Sequence, residues 1–303
     1  MCGIVGYVGT KNIPGRAHFA LDVVLEGLRR LEYRGYDSAG VAVLDEGKIS
    51  FRKKAGKVAA LDEVIATNPL PQAVVGIGHT RWATHGGPTD ANAHPHVVDG
   101  GKLAVVHNGI IENFAELKTE LVEKGYTFES ETDTEVAATL LADFVHGAGE
   151  GDLTESMRLT CNRLEGAFTL LALHTDFPDR IVAARRNSPL VIGLGEGENF
   201  LGSDVSGFID YTKNAVEMAN DQIVTITATS YDIIDFAGNK AQGKPFKVEW
   251  DAAAAEKGGF SSFMEKEIHD QPTAVRDTLM GRFDENGKLT LDELHIDETV
   301  LRS

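Results

Sequence analysis

Short apolar runs, grouped in blocks that flank helical segments, constrain the fold of this chain most strongly. The runs have the length of buried strands and lie at residues 3–8, 40–45, 47–53, 73–80, 102–109, 167–174, 180–186, 189–195 and 222–228. Apolar residues at helical spacing indicate helices at residues 17–35, 112–125, 133–147 and 153–166. Strand blocks flanked by helical blocks predict two packed sheets with helices outside them, an α+β sandwich.

The composition excludes several classes of partner. The chain of 303 residues carries a net charge of −17 with no lysine- or arginine-rich run, so its field repels nucleic acid and anionic membrane surfaces. No stretch reaches the ~18 apolar residues that a membrane-spanning helix needs. The chain has only two cysteines, and its N-terminus shows no basic segment followed by an apolar one. The sequence therefore predicts a cytoplasmic protein that binds neither nucleic acid nor membrane.

The character of the sequence changes near residue 239. Residues 1–239 hold the strand and helix pattern, whereas residues 240–303 include polar, glycine-containing and low-complexity stretches. We therefore predict a folded domain over 1–239 and a connector over 240–303, with a helix at 263–281 interrupted by Pro272. The segment 284–293 has some features of a calcium loop, but its glycine comes at the fourth position instead of the sixth, which favours a hairpin.

Cys2 lies directly before the first apolar run. It is either a small hydrophobe at the start of a strand or a nucleophile at the end of the chain. Removal of Met1 would leave the α-amine of Cys2 beside its own thiol. An α-amine has a pKa of about 7.7 to 8.0 and a cysteine has a pKa of about 8.5, so the amine can serve as a base for the thiol close to neutral pH. Position alone leaves both interpretations open, whereas Cys161, inside a predicted helix, is interpreted as a buried, inert thiol.

Five of the ten histidines lie between His79 and His107. Their spacing does not give the helical pair of a zinc protease, and no cysteine lies among them, so we predict no metal and no cofactor. Hydrogen bonds that orient loops or line a pocket are the expected role of these histidines. The glycine-dense segment 193–198 lacks the phosphate-loop pattern and is predicted to be a hairpin turn.

Polar residues at the ends of predicted strands and helices fit one type of ligand. Arg81 follows the run at 73–80, Asn108 and Gly109 end the run at 102–109, and Asp133 begins a helix. A free amino acid is a zwitterion, so its site needs a fixed cation for the carboxylate and a fixed anion for the ammonium group. Thiol attack on a carboxamide also needs donors for the developing oxyanion, and an asparagine side chain beside a glycine N–H supplies them.

Six motifs, in this order, carry a resemblance to a known family: CGIVGYVG, LRRLEYRGYDSAG, GHTRWATHG, NAHPH, VVHNGIIEN and SETDTE. The chain resembles the glutaminase domain of the glutamine:fructose-6-phosphate amidotransferases (isomerising), which are N-terminal nucleophile (class II) glutamine amidotransferases. The similarity runs from residue 2 to about residue 239 and continues more weakly through 263–272. One departure is the segment 10–22, which is longer than usual between the first strand and the first helix and is expected to be a surface insertion.

The resemblance implies catalytic roles for four residues. Cys2, freed of Met1, would be the nucleophile, with its α-amine as general base acting through a water molecule. Asn108 and Gly109 would form the oxyanion hole, and Arg34 would hold the Cys2 region in place.

The resemblance also implies how glutamine would be bound. Arg81 would bind the carboxylate of glutamine and Asp133 its ammonium group. Trp82, Thr84 and His85 would belong to a mobile loop that closes over the substrate. His79, His94 and His107 match family positions, but no specific role follows for them.

The implied fold is the four-layer αββα sandwich of N-terminal nucleophile hydrolases. In this family the fructose 6-phosphate site lies in two C-terminal sugar-isomerase domains, and the chain ends about where these would begin. We therefore expect this polypeptide to hydrolyse glutamine to glutamate and ammonia. The full-length enzyme, expected to be a homo-oligomer, would use that ammonia to convert fructose 6-phosphate to glucosamine 6-phosphate.

Three alternatives stay open at this point. The domain could serve another acceptor, such as a phosphoribosyl amine or aspartate. It could be a glutamine-sensing module, which would bind glutamine without turnover. A histidine-ligated metal hydrolase would contain stoichiometric metal and be inhibited by chelators.

Overall fold

The computed structural model describes residues 2–10, 19–149, 151–249, 260 and 263–279. Two compact units divide the chain, residues 1–252 and 253–303. All strands of the described residues lie in the first unit, and numbered along the chain they are β1 (Gly3–Gly9), β2 (Ser38–Asp45), β3 (Lys48–Ala55), β4 (Val75–Arg81), β5 (His96–Val98), β6 (Leu103–Ile111), β7 (Gly166–His174), β8 (Arg180–Arg186), β9 (Val191–Leu194), β10 (Glu198–Gly202), β11 (Asn214–Glu217), β12 (Gln222–Thr227), β13 (Tyr231–Asp235) and β14 (Lys244–Lys247).

These strands form two antiparallel sheets. The first sheet has the order β14-β11-β9-β10-β1-β4-β2-β3, and the second has the order β13-β12-β8-β7-β6-β5. The first unit also contains five α-helices in its described residues: α1 (Ala20–Leu31), α2 (Val58–Thr67), α3 (Phe114–Glu123), α4 (Asp133–His146) and α5 (Leu153–Arg163).

Three apolar clusters show how these elements are layered. Residues of both sheets share one cluster, which fills the space between them. A second cluster joins α1 and α2 to the outer face of the first sheet, and a third joins α3, α4 and α5 to the outer face of the second. The first unit is therefore a four-layer α-β-β-α sandwich, as the sequence predicts.

Strand β1 shows why a buried strand of this fold reads as a continuous apolar run. Ile4 and Val8 pack into the cluster between the sheets, whereas Val5 and Tyr7 pack against the helical side. Successive side chains of a strand point to opposite faces, and here both faces are covered. All seven residues of β1 are buried as a result.

Two hairpins connect neighbouring strands of the first sheet, and the second of them confirms the turn that the sequence predicts at 193–198. Strands β2 and β3 pair from Ser38↔Ala55 to Asp45↔Lys48, and the turn residues Glu46 and Gly47 have φ of 49° and 72°. Positive φ at both central turn residues matches the right-handed twist of the flanking strands. Strands β9 and β10 form the second hairpin, across the glycine-dense segment 193–198.

The structure also contains elements that the sequence pattern did not reveal. Helix α2 follows β3 directly, and strands β5, β11, β13 and β14 are short. Strand β14 pairs with β11 in the first sheet, with Ala215 opposite Phe246, so this sheet includes residues of the predicted connector. The domain boundary at residue 239 stays a prediction. Most of the predicted insertion, residues 11–18, lies outside the described residues.

The described part of the second unit is helix α6 (Phe263–Leu279), which contains Pro272. The predicted helix is confirmed, but it continues through Pro272 instead of being interrupted there. The predicted hairpin at 284–293 lies outside the described residues. Among the described helices, none combines the length and the hydropathy that crossing a bilayer requires.

Candidate active site

The start of β1 and the end of β4 lie side by side in the first sheet. Their antiparallel pairing places Gly3 opposite Thr80, so Cys2 comes next to the chain that leaves β4 through Arg81. Strand β6 of the second sheet carries Asn108 and Gly109 on the other side of Cys2. The polar ends of separate strands therefore meet at one place, as the sequence pattern predicts.

Cys2 is held by the main chain of Trp82. The N–H of Trp82 donates to the Sγ atom of Cys2 at 3.1 Å, and the carbonyl oxygen of Trp82 lies 3.6 Å from the same sulfur. Burial raises the pKa of the Cys2 thiol, and the hydrogen bond from Trp82 lowers it in part. The thiol therefore needs a base to become a nucleophile at neutral pH.

Asn108 is fixed at both ends of its side-chain amide. Its Nδ2 donates to the main-chain carbonyl of Cys2 at 3.0 Å, and its Oδ1 lies 3.0 Å from the Nε2 atom of His79. The residue is only 6% exposed. The amide N–H groups are thus held beside Cys2.

Gly109 occupies a backbone conformation that excludes other residues. Its φ is 124°, and a Cβ at this position would lie 2.0 Å from the carbonyl oxygen of Ala167 on the neighbouring strand β7. Glycine alone avoids both the unfavourable φ and this clash. The close approach leaves the main chain of Gly109 exposed to the cavities beside Cys2.

Arg81 holds the loop that follows β4. Its guanidinium donates to the carbonyl oxygen of Gly87 at 3.1 Å, to that of Gly86 at 3.2 Å and to that of His85. Arg81 is 3% exposed, and burial lowers its pKa, opposed by the nearby Cys2 and Asp133. This fixed cation therefore lies close to both residues.

Asp133 is the first residue of α4, whose N-cap Thr132 accepts a hydrogen bond from the N–H of Glu135. The Oδ2 atom of Asp133 accepts from the N–H of Ile111 at 2.9 Å. The same oxygen lies 3.9 Å from Nδ1 of His85 and 3.9 Å from Nδ1 of His107. The carboxylate suits the positive end of the helix dipole and provides a fixed anion beside Arg81.

Two cavities open beside Cys2. The larger has a volume of about 340 Å³ and is lined by Cys2, Trp82, Thr84, Asn108, Gly109, Ile110, Ala167, Asn187, Ser188 and Pro189. The smaller one is a narrow cleft that is lined by Cys2, Arg81, Trp82, Thr84, His94, His107, Gly109, Thr132, Asp133 and Thr134. The cation of Arg81, the anion of Asp133 and the thiol of Cys2 thus line the same cleft. Both cavities are lined by Cys2, Trp82, Thr84 and Gly109.

Four histidines form a buried cluster behind the cleft: His79, His94, His96 and His107. Burial lowers the pKa of each of them, that of His79 to about 3. The hydroxyl of Thr134 lies 2.8 Å from Nε2 of His94 and 2.9 Å from Nδ1 of His107. These histidines are therefore neutral groups that hydrogen-bond to the site. Among the described residues, no group of three or more His, Cys, Asp or Glu side chains is placed to hold a metal ion.

The structure places the remaining predicted residues as follows. Trp82 is half exposed, and its ring meets that of Tyr36 edge to face with centroids 5.4 Å apart. His85 packs against Phe114 with centroids 4.9 Å apart, outside the two cavity linings. Arg34 ends a 3-10 turn after α1, and its side chain lies outside the described part of the chain.

Sequence reasoning missed two features of the site. It gave His79 no specific role, although its contact with Asn108 is direct. It also did not select the segment Asn187–Pro189, which lines the larger cavity and begins with a residue of φ 55°. A polar residue before a proline, next to a strand end, is the available signal for that segment.

Comparison with known proteins gives a consistent picture. Residues 79–210 match the family described as glutamine amidotransferase domain. A protein from Corynebacterium diphtheriae is 77% identical over all 303 residues, which are 48% of its own length. Proteins from Streptomyces coelicolor and Mycobacterium tuberculosis are 59% and 51% identical, and the chain covers 48% of each. All three are named glutamine–fructose-6-phosphate aminotransferase (isomerizing), and the chain spans about half the length of these curated relatives.

Two solved structures share the fold of the first unit. The glutamine phosphoribosylpyrophosphate amidotransferase of Bacillus subtilis, complexed with ADP and GMP, has a TM-score of 0.65 at 25% identity and covers 79% of this chain and 50% of its own. The structure titled as the allosteric regulatory enzyme of purine biosynthesis has a TM-score of 0.66 at 24% identity, over the same shares.

The chain is 77% identical to a relative named for fructose 6-phosphate and 25% identical to the phosphoribosylpyrophosphate amidotransferase. This difference does not favour the alternative of a domain that serves a phosphoribosyl amine acceptor. The sandwich is that of the N-terminal nucleophile amidotransferases. Residues 79–210 are therefore similar to the glutamine amidotransferase domain family, and throughout its length the chain is similar to one half of the glutamine–fructose-6-phosphate aminotransferases.

Proposed function

We propose that this chain hydrolyses glutamine to glutamate and ammonia through a γ-glutamyl thioester on Cys2. The observation that carries the proposal is the placement of the Asn108 amide, which donates to the carbonyl of Cys2 at 3.0 Å. Asn108 also lines the larger cavity together with Cys2. Attack of a thiol on a carboxamide requires N–H donors in such a place, because the carbonyl oxygen becomes negatively charged in the transition state.

The reaction takes place in two halves. The Cys2 thiolate attacks the side-chain carbonyl carbon of glutamine, a C–S bond forms, and the C=O electrons move to the oxygen, which Asn108 and Gly109 stabilise. The oxyanion then collapses, the C–N bond breaks, and the nitrogen takes a proton and leaves as ammonia. Water attacks the thioester and releases glutamate and the free thiol.

The α-amine of Cys2 is the base in this proposal. Burial raises the pKa of the thiol, so a neighbouring base has to remove its proton. The α-amine has a pKa of about 7.7 to 8.0 and reaches the thiol through a water molecule. This role requires that Met1 is removed, because a peptide nitrogen is not a base.

Arg81 and Asp133 recognise the amino acid part of glutamine. Both line the narrow cleft with Cys2, so one substrate can contact all three. Arg81 already donates to loop carbonyls, and its guanidinium has further N–H donors for the carboxylate. Asp133 accepts from the ammonium group, the loop with Trp82, Thr84 and His85 closes over the substrate, and Arg34 supports the Cys2 region.

The chain serves as the ammonia-producing half of a longer enzyme. Its relatives are about twice as long and are named for fructose 6-phosphate, so we propose that the missing half binds that sugar and receives the ammonia to make glucosamine 6-phosphate. We also propose that the glutaminase domain ends near residue 239 and that the segment after it is a connector. The longer enzyme is proposed to be a homo-oligomer in the cytoplasm.

The test is glutamine turnover, measured as glutamate and ammonia released by the purified chain. Cys2→Ala is expected to abolish turnover, whereas Cys161→Ala, which changes a buried thiol in α5, is expected to retain it. Asn108→Ala is expected to lower kcat by about two to three orders of magnitude. Turnover that survives Cys2→Ala would disprove the mechanism. Binding of glutamine without any turnover would favour the sensing module.

A further inference from the structure

We infer that His79 is a positioning residue for this reaction: it fixes the side-chain amide of Asn108 with its N–H groups toward Cys2. The inference rests on the proposed function, and it assigns a role to a residue that touches neither cavity. The contact that carries it is the one between Nε2 of His79 and Oδ1 of Asn108, at 3.0 Å.

The neighbours of Asn108 determine which way its amide points. The carbonyl oxygen of Cys2 can only accept a hydrogen bond, so the atom of Asn108 that lies 3.0 Å from it has to be the nitrogen. The oxygen of the amide then faces His79, and the Nε2 atom of His79 has to carry the proton of that contact. The hydrogen bonds thus define both the amide orientation and the tautomer.

The surroundings of His79 support the same tautomer. The residue is 1% exposed, and burial lowers its pKa to about 3, so the ring is neutral and has a single N–H. Its Nδ1 atom makes no hydrogen bond of ordinary geometry among the described residues, although the main chain of His107 lies close enough to the ring to oppose part of this pKa shift. The ring also packs against His94, with centroids 4.2 Å apart. The one proton therefore belongs on Nε2, where Asn108 accepts it.

The position of His79 in the fold gives this hydrogen bond a rigid basis. His79 lies in β4 of the first sheet, and Asn108 lies in β6 of the second, so the bond joins the two sheets directly behind Cys2. Groups that are held by strands keep catalytic geometry better than groups on loops. Without this partner only the hydrogen bond to the Cys2 carbonyl holds the amide, so the direction of its N–H groups is less tightly fixed.

The expected effect of removing His79 is a loss in kcat. His79→Leu leaves the donor of Asn108 in the site but releases its orientation, so kcat should fall by about 10- to 100-fold, less than in Asn108→Ala. The KM for glutamine should stay within about twofold, because the oxyanion forms only in the transition state. His79→Gln places an amide N–H near the position of Nε2 and should recover most of the lost kcat.

A double-mutant cycle tests whether His79 acts through Asn108. The kcat of His79→Leu/Asn108→Ala should equal that of Asn108→Ala alone, since no amide is left to orient. The matched control is His174→Leu, another buried histidine, in β7. The pairing of β6 with β7 places His174 opposite Leu103, at the end of β6 far from Asn108, so this variant should keep the wild-type kcat.

Each outcome has one interpretation. A wild-type chain without glutaminase activity contradicts the proposed function. In an active wild-type chain, a folded His79→Leu with unchanged kcat, or with only a raised KM, would overturn the inference and leave the proposed function intact. The inference would also be overturned if His79→Leu lowered kcat by the same factor in chains with Asn108 and in chains with Asn108→Ala. A His79→Gln variant that folds but recovers no kcat relative to His79→Leu would overturn it as well.

Discussion

The carboxylate of Asp133, at the start of α4, accepts a hydrogen bond from the main-chain N–H of Ile111 at 2.9 Å. Ile111 is the last residue of β6, the strand that also carries Asn108 and Gly109. This contact therefore ties the anion of the cleft to the strand that carries the proposed oxyanion hole. Asp133 therefore has two roles: it accepts a structural hydrogen bond, and it supplies the negative charge of the cleft.

Asp133→Asn removes the charge and retains an oxygen that can accept from Ile111. We expect the KM for glutamine to rise by about 10- to 100-fold, because a hydrogen bond to a charged group contributes about 1.5 to 3 kcal/mol. The melting temperature should change little. Steady-state kinetics and thermal unfolding of the same preparations check both values, and an unchanged KM would remove Asp133 from the substrate site.

Arg81→Lys retains the positive charge but loses the planar array of donors. The variant should raise the KM for glutamine and increase the protease sensitivity of the loop at 85–87, because one ammonium group cannot replace the contacts to Gly86 and Gly87 and bind a carboxylate as well. Arg29→Lys, which changes an exposed arginine paired with Asp62, is the control and should leave both properties unchanged. Wild-type kinetics in Arg81→Lys would contradict the assignment.

Gly109→Ala tests the close packing of β6 against β7. The new Cβ would meet the carbonyl oxygen of Ala167, so we expect a loss of more than about 2 kcal/mol in the free energy of unfolding. Gly47→Ala is the matched control, since Gly47 also has a positive φ but has nothing within 4 Å of the new Cβ. It should cost only about 1 kcal/mol. Denaturant titration measures both, and equal losses would refute the packing argument.

The buried histidines predict a loss of stability in acid. The pKa of His79 falls from 6.5 to about 3 on folding, so the unfolded chain binds a proton that the folded chain excludes between these values. Its contribution to stability is complete above pH 6.5 and declines as the pH falls toward about 3. His79→Gln should reduce the slope of unfolding free energy against pH by up to about 1.4 kcal/mol per unit between pH 4 and 6. The same slope in both proteins would show that His79 is not buried as a neutral group.

The layered fold was predictable because its strands are covered on both faces. A strand such as β1 then reads as one apolar run, and its polar neighbours mark the strand ends at which Cys2, Arg81 and Gly109 meet. Helix α2 was missed because it buries only Val58 and Leu61, too few residues for a clear apolar stripe.

The missed parts of the site depend on contacts between sheets. His79 and Asn108 belong to different sheets, and nothing in their sequence spacing shows that a ring nitrogen and an amide oxygen will meet. The segment that begins at Asn187 approaches Cys2 in the same way, from a distant part of the chain. Sequence motifs selected the groups that we propose to react, whereas the groups proposed to orient them became visible only in three dimensions.

The most direct test of the account is the intact mass of the purified protein before and after reaction with a glutamine analogue that carries an electrophilic ketone. We expect a mass that lacks Met1 and a single adduct, which is absent from Cys2→Ala and present in Cys161→Ala. An adduct that persists in Cys2→Ala, or a fully active protein that retains Met1, would contradict the N-terminal thiol mechanism.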